Sequence, residues 1–170
     1  MRSDSRQQVV VLIPRLRRYA RALTGSAEQA DELVQDCLER GLNRLHLWRR
    51  GSDLRAWLFT IMHNLHVNNV RRGIIRPDNQ VFDDTRQQAS APPAQDDVVA
   101  LHSIVDMLRR LPTDQREVVL MVGMEEMSYR EVAEVLGVPV GTVMSRLARG
   151  RERLRELTGT GTPIRERSTR

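Results

Sequence analysis

The clearest hydrophobic pattern lies between Ser128 and Leu157. Ser128 with Glu131 three positions on is a capping box, which predicts a helix from Tyr129. Val132, Ala133, Val135 and Leu136 give that helix one apolar face. Gly137 suits the positive φ of a helix C-terminus, and Pro139 can open a helix but not continue one. A second helix is predicted from Val140 to Leu157, with Val140, Val143, Leu147, Gly150 and Leu154 on one face. Thr142, Ser145, Arg146, Arg149 and Arg153 fall largely on the other. Such a pair is a helix-turn-helix, whose second helix enters the DNA major groove, where arginine bonds guanine O6 and N7. The bland alternative is a helical hairpin with a solvated basic face.

Upstream the same period recurs. Residues 1–6 are polar and predict a frayed end. Val9, Leu12, Ile13, Leu16, Tyr19, Ala20 and Leu23 keep helical spacing, but Pro14 predicts a helix that starts near Ile13 or kinks there. Ser26 with Gln29 predicts a second capping box and a helix from Ala27 to Leu45, with Ala30, Leu33, Val34, Cys37, Leu38, Gly41, Leu42 and Leu45 inward. Its outer strip is acidic: Glu28, Asp31, Glu32, Gln35, Asp36 and Glu39. The helix dipole accounts for acids in the first turn but not for Asp36 or Glu39, whereas a docking surface for a basic partner accounts for all of them.

Ser52 or Asp53 caps a third helix, Leu54 to Arg72, with Leu54, Trp57, Leu58, Ile61, Met62 and Leu65 as its core face. Arg55, Phe59, His63, Asn64, His66, Asn68, Arg71 and Arg72 are left for other work. Rings, amides and arginines together suit a single nucleic-acid strand. Phe59 fits stacking or core packing equally. His63 and His66 stand three apart, but neither cysteine nor carboxylate accompanies them at ligand spacing, so no metal is expected.

Residues 73–97 change character, with Pro77, Pro92, Pro93 and little apolar content, and read as a flexible linker. A helix from about Asp97 to Arg110 follows, then one capped by Thr113, a turn from Gly123 to Met127, and the helix-turn-helix. The tail from about residue 159 is expected to be loose. The expected fold is therefore all-α: two small helical domains, residues 1–72 and 98–158, on a linker.

Composition adds a partner class. The 170 residues carry a formal net charge of +5, so a polyanion fits; every basic residue is arginine, which suits phosphate and guanine contacts but is better explained by a GC-rich genome. Cys37 alone cannot form an internal disulfide and suits a reducing cytoplasm; it reads as a small buried hydrophobe. No stretch is long and apolar enough to span a membrane, and no signal peptide is evident, so a cytoplasmic protein is expected. No nucleophile–base set, phosphate-cradling loop or metal set appears, so neither an enzyme nor a cofactor is expected.

Taken in order, RYARALTGSAEQADELVQDCLERGL, DLRAWLFTIMHNLHVNNVRR, LRRLPTDQREVVLMV and MSYREVAEVLGVPVGTVMSRLARGRERLR resemble the extracytoplasmic-function (ECF) group of bacterial RNA polymerase sigma factors, over about Ile13 to Leu157. The resemblance implies that Asp31, Glu32, Gln35 and Asp36, with Glu39 beside them, dock on the clamp helices of core polymerase. It implies that Trp57, Asn64, Asn68, Arg71 and Arg72 lie near the melted minus-ten strand, whose flipped base is held in a pocket. It places Thr142, Ser145, Arg146 and Arg149 at positions that read the minus-thirty-five duplex, with Arg153 beyond them on the same face. Met144 stands where many relatives carry a basic residue. An inhibitory anti-sigma factor is implied as a further partner, and LHLW resembles the general-stress branch. The rivals are a stand-alone helix-turn-helix regulator, which leaves the acidic strip without a purpose, and a nuclease using His63 and His66.

Overall fold

A computed structural model describes residues 2–49, 51–73 and 104–159. The helices are α1 (Arg2–Thr24), α2 (Ala27–Arg44), α3 (Leu54–Arg71), α4 (residues 104–109), α5 (Thr113–Gly123), α6 (Tyr129–Leu136) and α7 (Val140–Leu157), with a 3₁₀ turn at Leu45–Leu47. No strand occurs among the described residues. The linker expected over 73–97 lies outside them except for Gly73, as does the start of the helix expected from Asp97.

Local chemistry sets the helix ends. Ser128 Oγ accepts from the Glu131 N–H while the Glu131 carboxylate accepts from the Ser128 N–H at 2.7 Å, so the capping box is complete. Gly137 closes α6 with φ 64°, a conformation that costs a side-chain-bearing residue about 1 kcal/mol or more. At α2 only half the expected box forms. Ser26 Oγ accepts from the Gln29 N–H, but the Ser26 N–H donates to Thr24 Oγ1 instead. Asp53, not Ser52, caps α3, its carboxylate accepting from the N–H groups of Arg55 and Ala56.

Three expectations are corrected. The helix α1 begins at Arg2 and contains Pro14, rather than fraying over residues 1–6 or starting near Ile13. Proline deletes one backbone hydrogen bond, but Val9 before it and Leu16 after it are both buried, so apolar packing spans the break. Thr113 is the first residue of α5 and the cap position is Pro112, whose side chain has nothing to accept with. Gly123 belongs to α5, so the turn starts one residue later than expected, and Glu126 within it takes φ 54°.

α1, α2 and α3 pack on one another, as do α5, α6 and α7. Gly150 lets α7 come close to α5: a Cβ there would lie 2.7 Å from a Val119 methyl carbon. The two bundles also join, α6 lying on α3 and α5 on α1, and one apolar core runs through both. Gly41, Leu33, Val34 and Cys37 are buried on α2 as expected, whereas Leu42 is exposed because it lies at the edge of that face. On α7, Val140 is likewise exposed, ahead of the point where the helix meets α5.

Candidate functional site

The residues singled out from sequence occupy three separate surfaces. Asp31, Glu32, Gln35, Asp36 and Glu39 are all exposed on α2, opposite its buried Ala30, Leu33, Val34 and Cys37. Of these acids, Asp31 is approached by Arg21 of α1 at 4.0 Å, a solvent-exposed pair of small worth. The helix α2 packs on α1, α3 and the 3₁₀ turn, leaving the acidic strip uncovered.

On α3, Asn64, Asn68, Arg71 and Arg72 (its C-cap) are exposed, while Trp57 is half-buried beside Gly41 of α2. Phe59 and His66 are not available as expected: both are buried. Phe59 meets the Tyr19 ring edge-on at 4.8 Å between centroids and 76° between planes. The cause is that α3 is covered from two directions, by α1 and α2 of its own bundle and by the second bundle. Cys37 is buried, its thiol donates to the Leu58 carbonyl at 3.4 Å, and burial pushes it up to about 12, so it stays a protonated hydrophobe.

On α7, Ser145, Arg149 and Arg153 are exposed and Thr142 is half-exposed. Arg149 donates to the Ser145 carbonyl and to its hydroxyl, both at 3.3 Å, which aligns the guanidinium along the helix. Arg146 is held differently: its Nε lies 3.2 Å from Asp114 of α5. That pair ties the helix-turn-helix to α5, whereas Arg149 is anchored on its own helix. Met144, 53% exposed, puts a soft apolar side chain on the same face.

Sequence reasoning missed two features. One is an open groove of about 530 Å³ between α1 and the start of α3, lined by Gln8, Val11, Leu12, Trp48, Gly51 and the Ser52–Arg55 segment. Val11, Leu12, Trp48 and Leu54 give its lining an apolar share, and Arg55 is among the lining residues. An indole in a loop of arginines and glycine was the available signal. The other is a polar junction between the bundles. Glu125 is 0% exposed, with Arg15 Nε 2.9 Å from its carboxylate and Arg18 Nη2 3.5 Å from the other oxygen. Arg55 donates to the Glu125 carbonyl at 2.8 Å and also pairs with Glu131 and Asp53. The Ser128 N–H and hydroxyl, with Arg55 adding to them, hold the Glu131 carboxyl below its ordinary range. Arg116, buried on α5, donates to the carbonyls of Leu23, Arg109 and Leu111.

His63 and His66 belong to this junction. His63 Nδ1 lies 2.8 Å from Glu117, while among the described residues neither ring nitrogen of His66 has a hydrogen-bond partner. Burial lowers the His66 pKa, Arg116 and His63 add to this, and Glu117 opposes it. The folded protein therefore favours the neutral ring. Above the ordinary histidine value of 6.5 this carries no penalty; as pH falls below it the unfolded chain takes a proton that the folded chain resists, and stability drops. Thermal melts are expected to show a midpoint that is flat above about pH 7 and falls from there to about pH 5.5, at most about 1.4 kcal/mol per pH unit, and His66→Phe should flatten that limb. Equal slopes in both proteins would refute this. Among the described residues no group of three His, Cys, Asp or Glu side chains could hold a metal ion, and no helix is long and apolar enough to cross a membrane.

Two helical bundles, the second ending in a capped helix-turn-helix, form the architecture of a sigma factor, and comparisons with known proteins agree. Residues 9–63 match the family model "Sigma2 domain of PhyR", and residues 101–154 match "Sigma-70, region 4". The ECF RNA polymerase sigma factor EcfG of Rhodopseudomonas palustris (strain TIE-1) is 36% identical over 155 residues, covering 89% of this chain and 83% of that protein. Among solved structures, the sigma factor RpoE in complex with the anti-sigma factor NepR from Bartonella quintana is similar, with a TM-score of 0.76 and 30% identity over 94% of this chain and 99% of the other. CnrH, solved with the cytosolic domain of CnrY, gives a TM-score of 0.67 at 26% identity over 92% and 88% of the two chains. The chain belongs to the ECF RNA polymerase sigma factors. It is an alternative sigma factor, directing polymerase to particular promoters.

Proposed function

We propose that the exposed acids of α2 dock on core polymerase, that α3 and the Trp48 groove take the melted minus-ten strand, and that α7 reads the minus-thirty-five duplex. The observation that carries this division is the exposure of the α2 strip and of the α7 outer face on different bundles, each clear of the junction. A base unstacked from the strand fits a groove with an indole and a partly apolar lining, as enzymes that extrude bases use. The exposed Asn64, Asn68, Arg71 and Arg72 follow along α3 as amides for base edges and arginines for phosphate.

Magnitudes require the bundles to part on DNA. By their names the two promoter elements lie about 25 base pairs apart, about 85 Å of duplex at 3.4 Å per pair. A compact body of 170 residues is only about 40 Å across. Thirty residues separate Gly73 from Ile104, enough contour for about 100 Å. An anti-sigma factor is the partner that would hold the bundles in an inactive arrangement, as the relative solved with NepR suggests. Binding and melting are then the whole activity, with no catalysis of its own, carried out in the cytoplasm where promoter and polymerase meet.

Arg149→Ala tests the duplex-reading face. The variant is expected to bind a minus-thirty-five duplex about 1–3 kcal/mol more weakly in fluorescence anisotropy, if the guanidinium makes a bidentate base contact. An equal loss on random duplex would show that Arg149 touches only phosphate.

A further inference from the structure

The junction holds one arrangement that the family reading does not use. Three arginines of the first bundle, Arg15 and Arg18 from α1 and Arg55 from α3, converge on a single residue of the second bundle. Arg15 reaches both the carboxylate and, at 3.4 Å, the carbonyl of Glu125; Arg55 reaches the same carbonyl at 2.8 Å. Between them the guanidinium groups meet one anionic group and one carbonyl oxygen, the kind of oxygen cluster a phosphodiester presents. Arg55 also lines the Trp48 groove, so the cluster is continuous with the place proposed for an unstacked base.

We infer that Arg15, Arg18 and Arg55 form a binding site for a backbone phosphate of single-stranded DNA, and that Glu125 fills this site as a stand-in while the bundles are packed together. Glu125 and the strand are then competitors. With Glu125 in place, its carboxylate and carbonyl occupy the donors of the cradle, the bundles stay joined, and DNA cannot enter. When a strand takes the cradle, Glu125 loses its cations and the junction loosens. Separation and strand capture become one coupled step, so the chain resists binding single-stranded DNA until the bundles part. A carboxylate stripped of its partners is too costly to keep buried, so losing the arginines drives the junction open. The inference rests on the sigma-factor reading for its biological setting, but the competition itself is a property of the isolated chain.

The test uses the full chain without polymerase and a fluorescein-labelled twelve-residue oligothymidylate. Glu125→Gln is expected to bind the oligonucleotide on the order of tenfold more tightly than the parent protein in anisotropy at low salt, about 1.4 kcal/mol. The gain should vanish in R15Q/R18Q/E125Q. No gain, or a gain that persists without the two arginines, would overturn the proposal, the second because the oligonucleotide would then be binding away from this cradle. Should Glu125→Gln fail to fold, the parent protein decides the matter by hydrogen exchange. Amides of α6 and of residues 124–127 should exchange faster on addition of the oligonucleotide, and unchanged exchange would overturn the inference. Inorganic phosphate at matched phosphate concentration should leave exchange unaltered; equal loosening would overturn the strand as the ligand. Failure to drive transcription with polymerase would strike the family reading instead, so the two failures are distinguishable.

Discussion

Asp36→Arg is expected to abolish binding to core polymerase while leaving the helical fold intact. Asp36 is exposed on α2, and the buried face of that helix is made by other residues. Folding should therefore change little, since surface substitutions away from caps and ion-pair networks shift stability by about 0.5 kcal/mol at most. Binding is another matter. The change swaps a negative for a positive charge in the middle of a strip that also carries Asp31, Glu32 and Glu39. Like charges brought together across an interface cost several kcal/mol, so affinity should fall by at least about a hundredfold. Surface plasmon resonance with immobilised core enzyme would measure this, with circular dichroism as the folding control. Normal affinity in the variant would remove the docking role from α2.

The second large effect is on stability. Arg116→Met should lower the melting midpoint by roughly 6–12 °C, the consequence of about 3 kcal/mol in a chain of this size. Arg116 is 3% exposed and donates to Leu23 O at 2.6 Å, Arg109 O at 2.8 Å and Leu111 O at 3.0 Å. Methionine matches the length of the stem but offers no donors, so carbonyls at the end of α1 and between α4 and α5 lose their charged partner. Because Leu23 lies in the first bundle, the loss also weakens the junction. Differential scanning calorimetry checks this, and a midpoint within 2 °C of the parent's, less than the shift about 1 kcal/mol would give, would show that Arg116 contributes little to the closed arrangement.

Those two residues differ in how visible they are in the sequence. Asp36 is conspicuous because α2 is amphipathic over its whole length and an acid beyond the first turn breaks what the helix dipole explains. The helix-turn-helix is equally visible: a capping box, a glycine at positive φ and a proline act over a few residues, where local chemistry decides. Arg116, Glu117 and Glu125 look like surface charges instead, since their partners Leu23, His63 and Arg15 are 93, 54 and 110 positions away. Nothing local marks a charge that folding will bury against a distant opposite charge.

The same reason explains the errors on α3. Counting one apolar stripe assigned Phe59 and His66 to the free side. A helix covered from two directions has two inward faces, and period alone does not reveal the second. Tyr19 supplies the missing contact to Phe59, and Glu117 faces the two histidines, but each comes from a different helix. The Trp48 groove escaped for a simpler cause. It is built where the loop before α3 meets the first half of α1, and residues 1–6 were expected to be frayed rather than part of a continuous helix through Pro14.

Run-off transcription with purified core polymerase on a library of genomic promoter fragments bears most directly on the whole account. With the chain added and no inhibitor present, transcripts should begin at a small set of defined sites sharing two sequence elements, and Asp36→Arg should erase them. Transcription that starts nowhere in particular, or that is the same with and without the protein, would contradict it.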